Sequence, residues 1–405
     1  MLVSSFFIMF SLTNNSVHAN IDRVTGKTYA TRSEVIAANG MVATSQPLAS
    51  QIGLEILKNG GNAIDAAIAA NAALGLMEPT GNGIGGDLFA IVWHAKSQKL
   101  YGLNASGRSP KGLTFTKLKK ELMTLQRDTI PPYGMLPISV PGTVDGWFEL
   151  HNKFGQLPMK QILQPAINYA INGFPVSELI SHYWKKSVPR LSPQSGSFKT
   201  TFTINGQGPN KGQIFKNPEL ANTLSQIAVG GRNAFYEGDI AQKIDSFMKN
   251  NGGYIRYNDL AEHKSTWVQP VSVNYRGYDV FELPPNGQGI AALQMLNILE
   301  QHDLAKMGFL SEQSLHVMTE AKKLVFEDRA KYYADMDFYH TPLTGLLDKS
   351  YAKSRNKLIG KRAAKRIDAG NPAMYQGDTI YLTTADKEGN MVSLIQSNYR
   401  GMGSG

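Results

Sequence analysis

The stretch GDTIYLTTADKEGN, residues 377–390, decides the fold. Ile380 to Ala385 is apolar, aromatic or β-branched, and a second run of that kind follows at 391–396 (MVSLIQ). Between them Asp386-Lys387-Glu388-Gly389-Asn390 carries turn chemistry, with glycine near the tip, so a β-hairpin is expected here. A basic helix or linker is expected at 351–369, upstream of it. Thr379 therefore stands at the start of a strand, directly after Gly377-Asp378, and its residue type leaves two readings open. In one, threonine is simply a good strand former and Gly-Asp the turn before it. In the other, the chain is cut before Thr379, whose hydroxyl becomes a nucleophile. Its freed α-amine, with an ordinary pKa of ~7.7–8.0, then serves as general base.

Composition narrows the chemistry available to the rest of the chain. The 405 residues contain no cysteine, which removes disulfides, thiolate metal sites and thiol nucleophiles together. The eight histidines, His18, His94, His151, His182, His263, His302, His316 and His340, show no metal-ligand spacing, and no G-x-S-x-G elbow is present. No cofactor or metal is expected. Lys plus Arg number 41 against 32 Asp plus Glu, a formal charge of +9. These cations are scattered apart from Lys117, Lys119 and Lys120 and a set from Arg355 to Arg366. No aromatic residues alternate with them, so a nucleic-acid surface is not expected. A basic binding protein of the envelope rests on the charge alone.

Residues 2–12 (LVSSFFIMFSL) have signal-peptide length, too short to span a membrane, and Val17-His18-Ala19 resembles a cleavage site. No Lys or Arg precedes the run. A signal peptide at 1–19 and a periplasmic or secreted protein without stable membrane insertion are expected, with a cytoplasmic protein as the alternative. A strand is expected at 41–44 and a helix from Pro47 to Gly60-Gly61. A second helix from Asn62 (AIDAAIAANAALGL) is so uniformly small and apolar that it must be buried on several sides. Strands follow at 88–94, apolar enough to be covered on both faces, and at 99–103. Helices are expected at 159–171, 218–227, 240–248, 290–302 and 312–333, and strands at 267–275 and 278–283 joined by Arg276-Gly277. Asp328-Arg329 reads as a helix-surface or interhelical ion pair. Gly81-Asn82-Gly83-Ile84-Gly85-Gly86 matches a dinucleotide pattern, but a helix precedes it and a strand follows, the reverse of that motif's setting. It reads as a tight backbone passage or the wall of a site.

Taken together, several blocks resemble the γ-glutamyltransferase (glutathione hydrolase) family of N-terminal-nucleophile hydrolases. They are SQPLAS (45–50), GGNAIDAAIAANAALGLMEPTGNGIGGDLF (60–89), NASGRSP (104–110), VPGTVDGW (140–147), QPAINYAINGFPV (164–176), AFYEGDIA (234–241), LPPNGQGIAALQMLNIL (283–299), FEDRAKYYAD (326–335) and GDTIYLTTADKEGN (377–390). The resemblance runs from about residue 36 to the end. It implies an α/β protein of the α+β type, a four-layer αββα sandwich. It also implies a precursor that cuts itself between Asp378 and Thr379 into large and small subunits, here 20–378 and 379–405. Thr379 would then attack γ-glutamyl amides such as glutathione and pass the acyl group to water or to an amino acid or peptide.

By the same resemblance Arg108 matches the arginine that pairs with the donor's α-carboxylate, a task suited to a bidentate guanidinium. Ser397 matches a hydroxyl that hydrogen-bonds the nucleophile. Two departures stand out. Tyr399 occupies the place of a family asparagine, with Asn398 one position out of register, and 396–405 (QSNYRGMGSG) looks more like an acylase-like branch. A different acyl group, such as the glutaryl chain of a β-lactam precursor, is the alternative substrate. The family's amine-gripping acid, Ser-Ser pair and Gly-Gly oxyanion hole match nothing up to residue 405, so the chain is expected to stop early in the small subunit, with C-terminal strands missing. A truncated, non-catalytic homologue is a further alternative.

Overall fold

The computed structural model describes residues 34–194, 196–365 and 380–404. The signal peptide expected at 1–19, the end of the expected basic segment, and Asp378 and Thr379 lie outside them. The described strands are β1 (Gly40–Ala43), β2 (Asp87–His94), β3 (Lys99–Ala105), β4 (Phe174–Pro175), β5 (Ile214–Phe215), β6 (Thr266–Val268), β7 (Val271–Tyr275), β8 (Tyr278–Glu282), β9 (Ile380–Asp386) and β10 (Met391–Ser397).

The expected terminal hairpin forms. β9 and β10 pair antiparallel from Ala385 opposite Met391 to Ile380 opposite Gln396. Gly389 supplies the positive φ, 83°, that the turn requires. The hairpin inserts into the middle of a six-stranded antiparallel sheet of order β1-β9-β10-β2-β3-β6.

One face of this sheet is sealed by the Ala63–Met77 helix, of which every residue but Gly75 is buried. Its alanines let the backbone approach the strands closely, and Ile64, Ile68, Leu74 and Leu76 fill the remaining space. Each such large side chain stabilises the fold by roughly 1.5–3 kcal/mol. The helix start is pinned by a capping box: Asn62 accepts from the Ile64 and Asp65 amides while Asp65 accepts from the Asn62 amide. Asp65 also accepts from the amides of Gln156 and Leu157. Two bonds then join this helix to the hairpin. The Ala63 amide donates to Asp386 at 3.0 Å, and the Thr384 hydroxyl donates to the Ala63 carbonyl at 2.6 Å.

The opposite face differs from the sequence expectation. β2 is buried on one face only, through Leu88, Ala90 and Val92, whereas Phe89, Ile91 and Trp93 are half-buried. Phe89 and Ile91 are apolar because they line a cavity, together with Tyr381, Ser393 and Ile395 of the hairpin.

Across that cavity lies a second αβ half. The β7–β8 hairpin packs Val273 against Ile290 and Leu293 of the Ile290–Leu299 helix. That helix in turn packs Ala291 and Ile298 on Ala321, Leu324 and Val325 of the Glu312–Tyr332 helix. The order is therefore helix, sheet, sheet, helix, as the αββα expectation requires. Gln269-Pro270 splits the strand expected at 267–275, sending β6 to the large sheet and β7 to the hairpin. Proline has no amide to donate to a continuous ladder. The helix expected at 218–227 runs on to Tyr236, with a break at Gly231 (φ 67°). Asp328 makes an interhelical pair, with Arg355 at 3.3 Å, whereas Arg329 lines the cavity. Among the described residues no helix is long and apolar enough to cross a membrane.

Candidate active site

The first described residue after Thr379, Ile380, pairs with Gln396, and the next residue along β10 is Ser397. The hairpin thus ends at the rim of a cavity of about 1040 Å³. Ser397 lines it, as do Asn398, Tyr399, Arg400, Met402, Gly403 and Ser404. Its hydroxyl accepts the Tyr399 amide at 2.8 Å. Tyr399 has a positive φ, 66°, which asparagine tolerates better than tyrosine.

The glycine run 81–86 forms one cavity wall. A Cβ on Gly83 would come 2.9 Å from the Asn398 amide nitrogen, and one on Gly86 would meet the Ser397 carbonyl oxygen. The wall is fastened by Gln396, whose amide group donates to the Gly83 carbonyl at 2.5 Å and to the Thr143 hydroxyl at 3.1 Å. Gly86 in turn accepts from the Gly142 and Thr143 amides, each at 3.0 Å. The run is therefore the wall of a site, one of the two structural readings the sequence allowed. Behind the 140–143 segment, the buried Tyr236 hydroxyl donates to the Pro141 carbonyl at 2.8 Å and accepts the Asp145 amide. Burial holds that phenol far above its ordinary pKa, so it remains a donor. His263 stacks on Tyr236, and burial lowers its pKa from the ordinary value. It is not among the cavity-lining residues.

Arg108 is placed differently from what its assigned role suggests. Its guanidinium is engaged by Asp335 at 2.8 Å and by Asp337, lies over the Phe338 ring, and is not among the groups lining the cavity. Its loop is instead tied into a ring of hydrogen bonds. Asn104 donates to Asn286 at 2.7 Å, Asn286 donates to Ser106 at 2.9 Å, and Ser106 donates back to Asn104 at 2.8 Å. Of the three, Asn286 lines the cavity.

Asp87 escaped the sequence reading. It opens β2 opposite Ser397, lines the cavity, and accepts the Gly107 amide at 3.0 Å. The available signal was an acid placed between Gly-Gly and an apolar strand. Withdrawal from water pushes its carboxyl up from 3.8 to about 6. Because the folded value lies above the unfolded one, the group favours the folded state below about pH 4, and that contribution is lost as pH rises through about 6. The full shift corresponds to ~3 kcal/mol. Asp87→Asn, which keeps an acceptor for the Gly107 amide, should therefore match the parent in urea midpoint near pH 4 and exceed it at pH 8. Equal midpoints at both values would contradict the assigned cost.

Comparison with known proteins agrees with this geometry. A family model described as gamma-glutamyltranspeptidase matches residues 49–405. The glutathione hydrolase-like YwrD proenzyme of Bacillus subtilis (strain 168) is 40% identical over 375 residues, covering 91% of this chain and 69% of that protein. The crystal structure of cephalosporin acylase from Bacillus halodurans superposes with a TM-score of 0.84 at 42% identity, over 95% of this chain and 70% of that one. The structure of Helicobacter pylori gamma-glutamyltranspeptidase does so with a TM-score of 0.75 at 32% identity, over 86% of this chain and 99% of that one. The chain spans about two thirds of the length of the curated relatives it matches, 69% of one and 64% of another.

Proposed function

Since the chain belongs to the gamma-glutamyltranspeptidase family, we propose that it is a self-processing γ-glutamyltransferase and glutathione hydrolase with Thr379 as nucleophile. The observation that carries this reading is the hairpin: the residue after Thr379 pairs with the residue before Ser397 at the rim of the cavity. Relatives named as proenzymes support a precursor that is cut.

In the first step the Thr379 hydroxyl attacks the Asp378 carbonyl. The amide becomes an ester, and water releases the segments 20–378 and 379–405, large-subunit region and start of the small one. The freed amine of Thr379 then takes the hydroxyl proton as the oxygen attacks the γ-carbonyl of a γ-glutamyl amide. The leaving amine departs protonated, and the γ-glutamyl ester is resolved by water or by the amine of an amino acid or peptide. No cofactor or metal enters any step. Ser397, whose hydroxyl already holds the Tyr399 amide, orients the nucleophile. Export with removal of residues 1–19 places the reaction in the periplasm or outside the cell.

Arg108 acts as carboxylate clamp only by exchanging Asp335 and Asp337 for the donor's carboxylate. The two acids already display the geometry such a ligand would copy. A second reading, hydrolysis of a glutaryl-type amide, is favoured by the likeness to a cephalosporin acylase and by Tyr399 where the family carries asparagine. Turnover of a γ-glutamyl anilide against a glutaryl anilide decides between them. Arg108→Ala should raise KM for the preferred donor ~10-fold or more, the worth of a charge-assisted bond. An unchanged KM would remove Arg108 from recognition, and loss of the γ-glutamyl substrate alone would exclude a clamp common to both.

A further inference from the structure

Four segments that frame the cavity are joined through one side chain. Gln396 ends the described β9–β10 ladder opposite Ile380 and is 1% exposed, which is unusual for a glutamine. Its amide group is fully used. Nε2 donates to the Gly83 carbonyl at 2.5 Å and to the Thr143 hydroxyl at 3.1 Å, and Oε1 accepts the Gly83 amide at 3.3 Å. Thr143 passes the connection on, since its hydroxyl donates to the Gly86 carbonyl at 2.8 Å. From the same 140–143 segment the Val140 amide reaches the Arg108 carbonyl at 3.0 Å. A continuous set of bonds thus links the hairpin, the glycine wall, the 140–143 segment and the loop of Arg108.

We propose that Gln396 is a positioning residue for acyl transfer, setting the distance between the end of the hairpin and the glycine wall. The inference rests on the reading of Thr379 as nucleophile. Thr379 precedes Ile380 and Ser397 follows Gln396, so both hydroxyls are carried by the Ile380–Gln396 rung. How firmly that rung is held therefore decides where they lie. Backbone pairing alone does not fix it against the wall, because residues 81–86 belong to no strand of the sheet. The Gln396 amide supplies the missing crosslink. A buried and fully satisfied network of this kind rigidifies the groups it joins. Only a carboxamide presents two donors beside an acceptor, and asparagine is one methylene shorter.

Gln396→Met keeps the length and bulk of the side chain without its hydrogen bonds, and two measurements on it test the proposal. In hydrogen exchange followed by mass spectrometry, the amides of 81–87 and 396–404 should exchange faster than in the parent, while those of the Glu312–Tyr332 helix stay unchanged. In steady-state kinetics on the preferred anilide, with rates taken per folded protein, kcat should fall ~10–100-fold and KM should stay within about threefold, the scale on which a small misplacement of reacting groups acts. Chain cleavage, which uses the same hydroxyl, should slow with kcat, and a folded variant that stays uncut is the extreme of that result. The exchange measurement needs no turnover, so it separates the clasp from the reaction. Unchanged exchange in either segment overturns the proposal. So does faster exchange with the parent's kcat, the outcome of a merely structural role, or a raised KM at constant kcat, which makes Gln396 part of a binding wall. A parent that neither cleaves nor turns over any amide sinks the Thr379 reading and the positioning role with it, even where exchange reports the clasp.

Discussion

Thr379→Ala should leave the chain whole and lower turnover of the preferred amide by ~10⁴–10⁶, the scale set by removal of a nucleophile from a hydrolytic site. In the proposed mechanism two reactions depend on this one hydroxyl. Both chain cleavage and substrate acylation form an ester at Thr379, so the variant should lose them together. Thr379→Ser keeps the hydroxyl and should keep cleavage. In the mature parent enzyme the α-amine of Thr379 must be neutral to act as base. Activity should therefore rise with pH toward the ordinary range of such an amine, ~7.7–8.0. Cleavage that persists in Thr379→Ala would move the nucleophile elsewhere. The described cavity lining has no histidine or cysteine to take its place.

The second large effect is structural. Gly107→Ala should destabilise the protein by about 3 kcal/mol or more, as overpacking against unyielding backbone does. A Cβ at 107 would land on the Val140 carbonyl oxygen and 2.5 Å from its carbon. That carbonyl cannot easily retreat. The Val140 amide is bonded to the Arg108 carbonyl at 3.0 Å, and the following Gly142 and Thr143 amides are bonded to Gly86. Gly142 is equally constrained, since a Cβ there would meet the Ala105 carbonyl oxygen. Relief would require the 105–108 loop to shift, breaking the Asp87 bond and displacing Arg108. Gly60→Ala provides the comparison. Gly60 has a positive φ, 91°, but open space around its Cβ direction, so only the torsional cost of ~1–2 kcal/mol applies. Equal urea midpoints for the two variants would contradict the assigned packing.

The elements legible in the sequence were those specified by local pattern. The hairpin of β9 and β10 combined two β-branched runs with a glycine-bearing turn, and the Ala63–Met77 helix advertised its burial through composition. β2 was misread because an apolar residue facing a cavity looks the same in sequence as one facing a core, and Phe89 and Ile91 face the cavity. The strand at 267–275 was drawn through Pro270, where its missing amide sends the chain to a second sheet. The site was less legible because its bonds are non-local. Arg108 meets Asp335 across 227 positions, and Gln396 meets Gly83 across 313. No local spacing rule relates such residues. Ser397 lies at the cavity rim as the last residue of β10, a strand whose alternation was readable from local pattern.

The most direct test of the whole account is N-terminal sequencing, with intact mass, of the purified parent protein after incubation at neutral pH. Two segments, the second beginning Thr-Ile-Tyr-Leu-Thr-Thr, are predicted. A single chain that stays whole, or a new terminus anywhere other than Thr379, would contradict it.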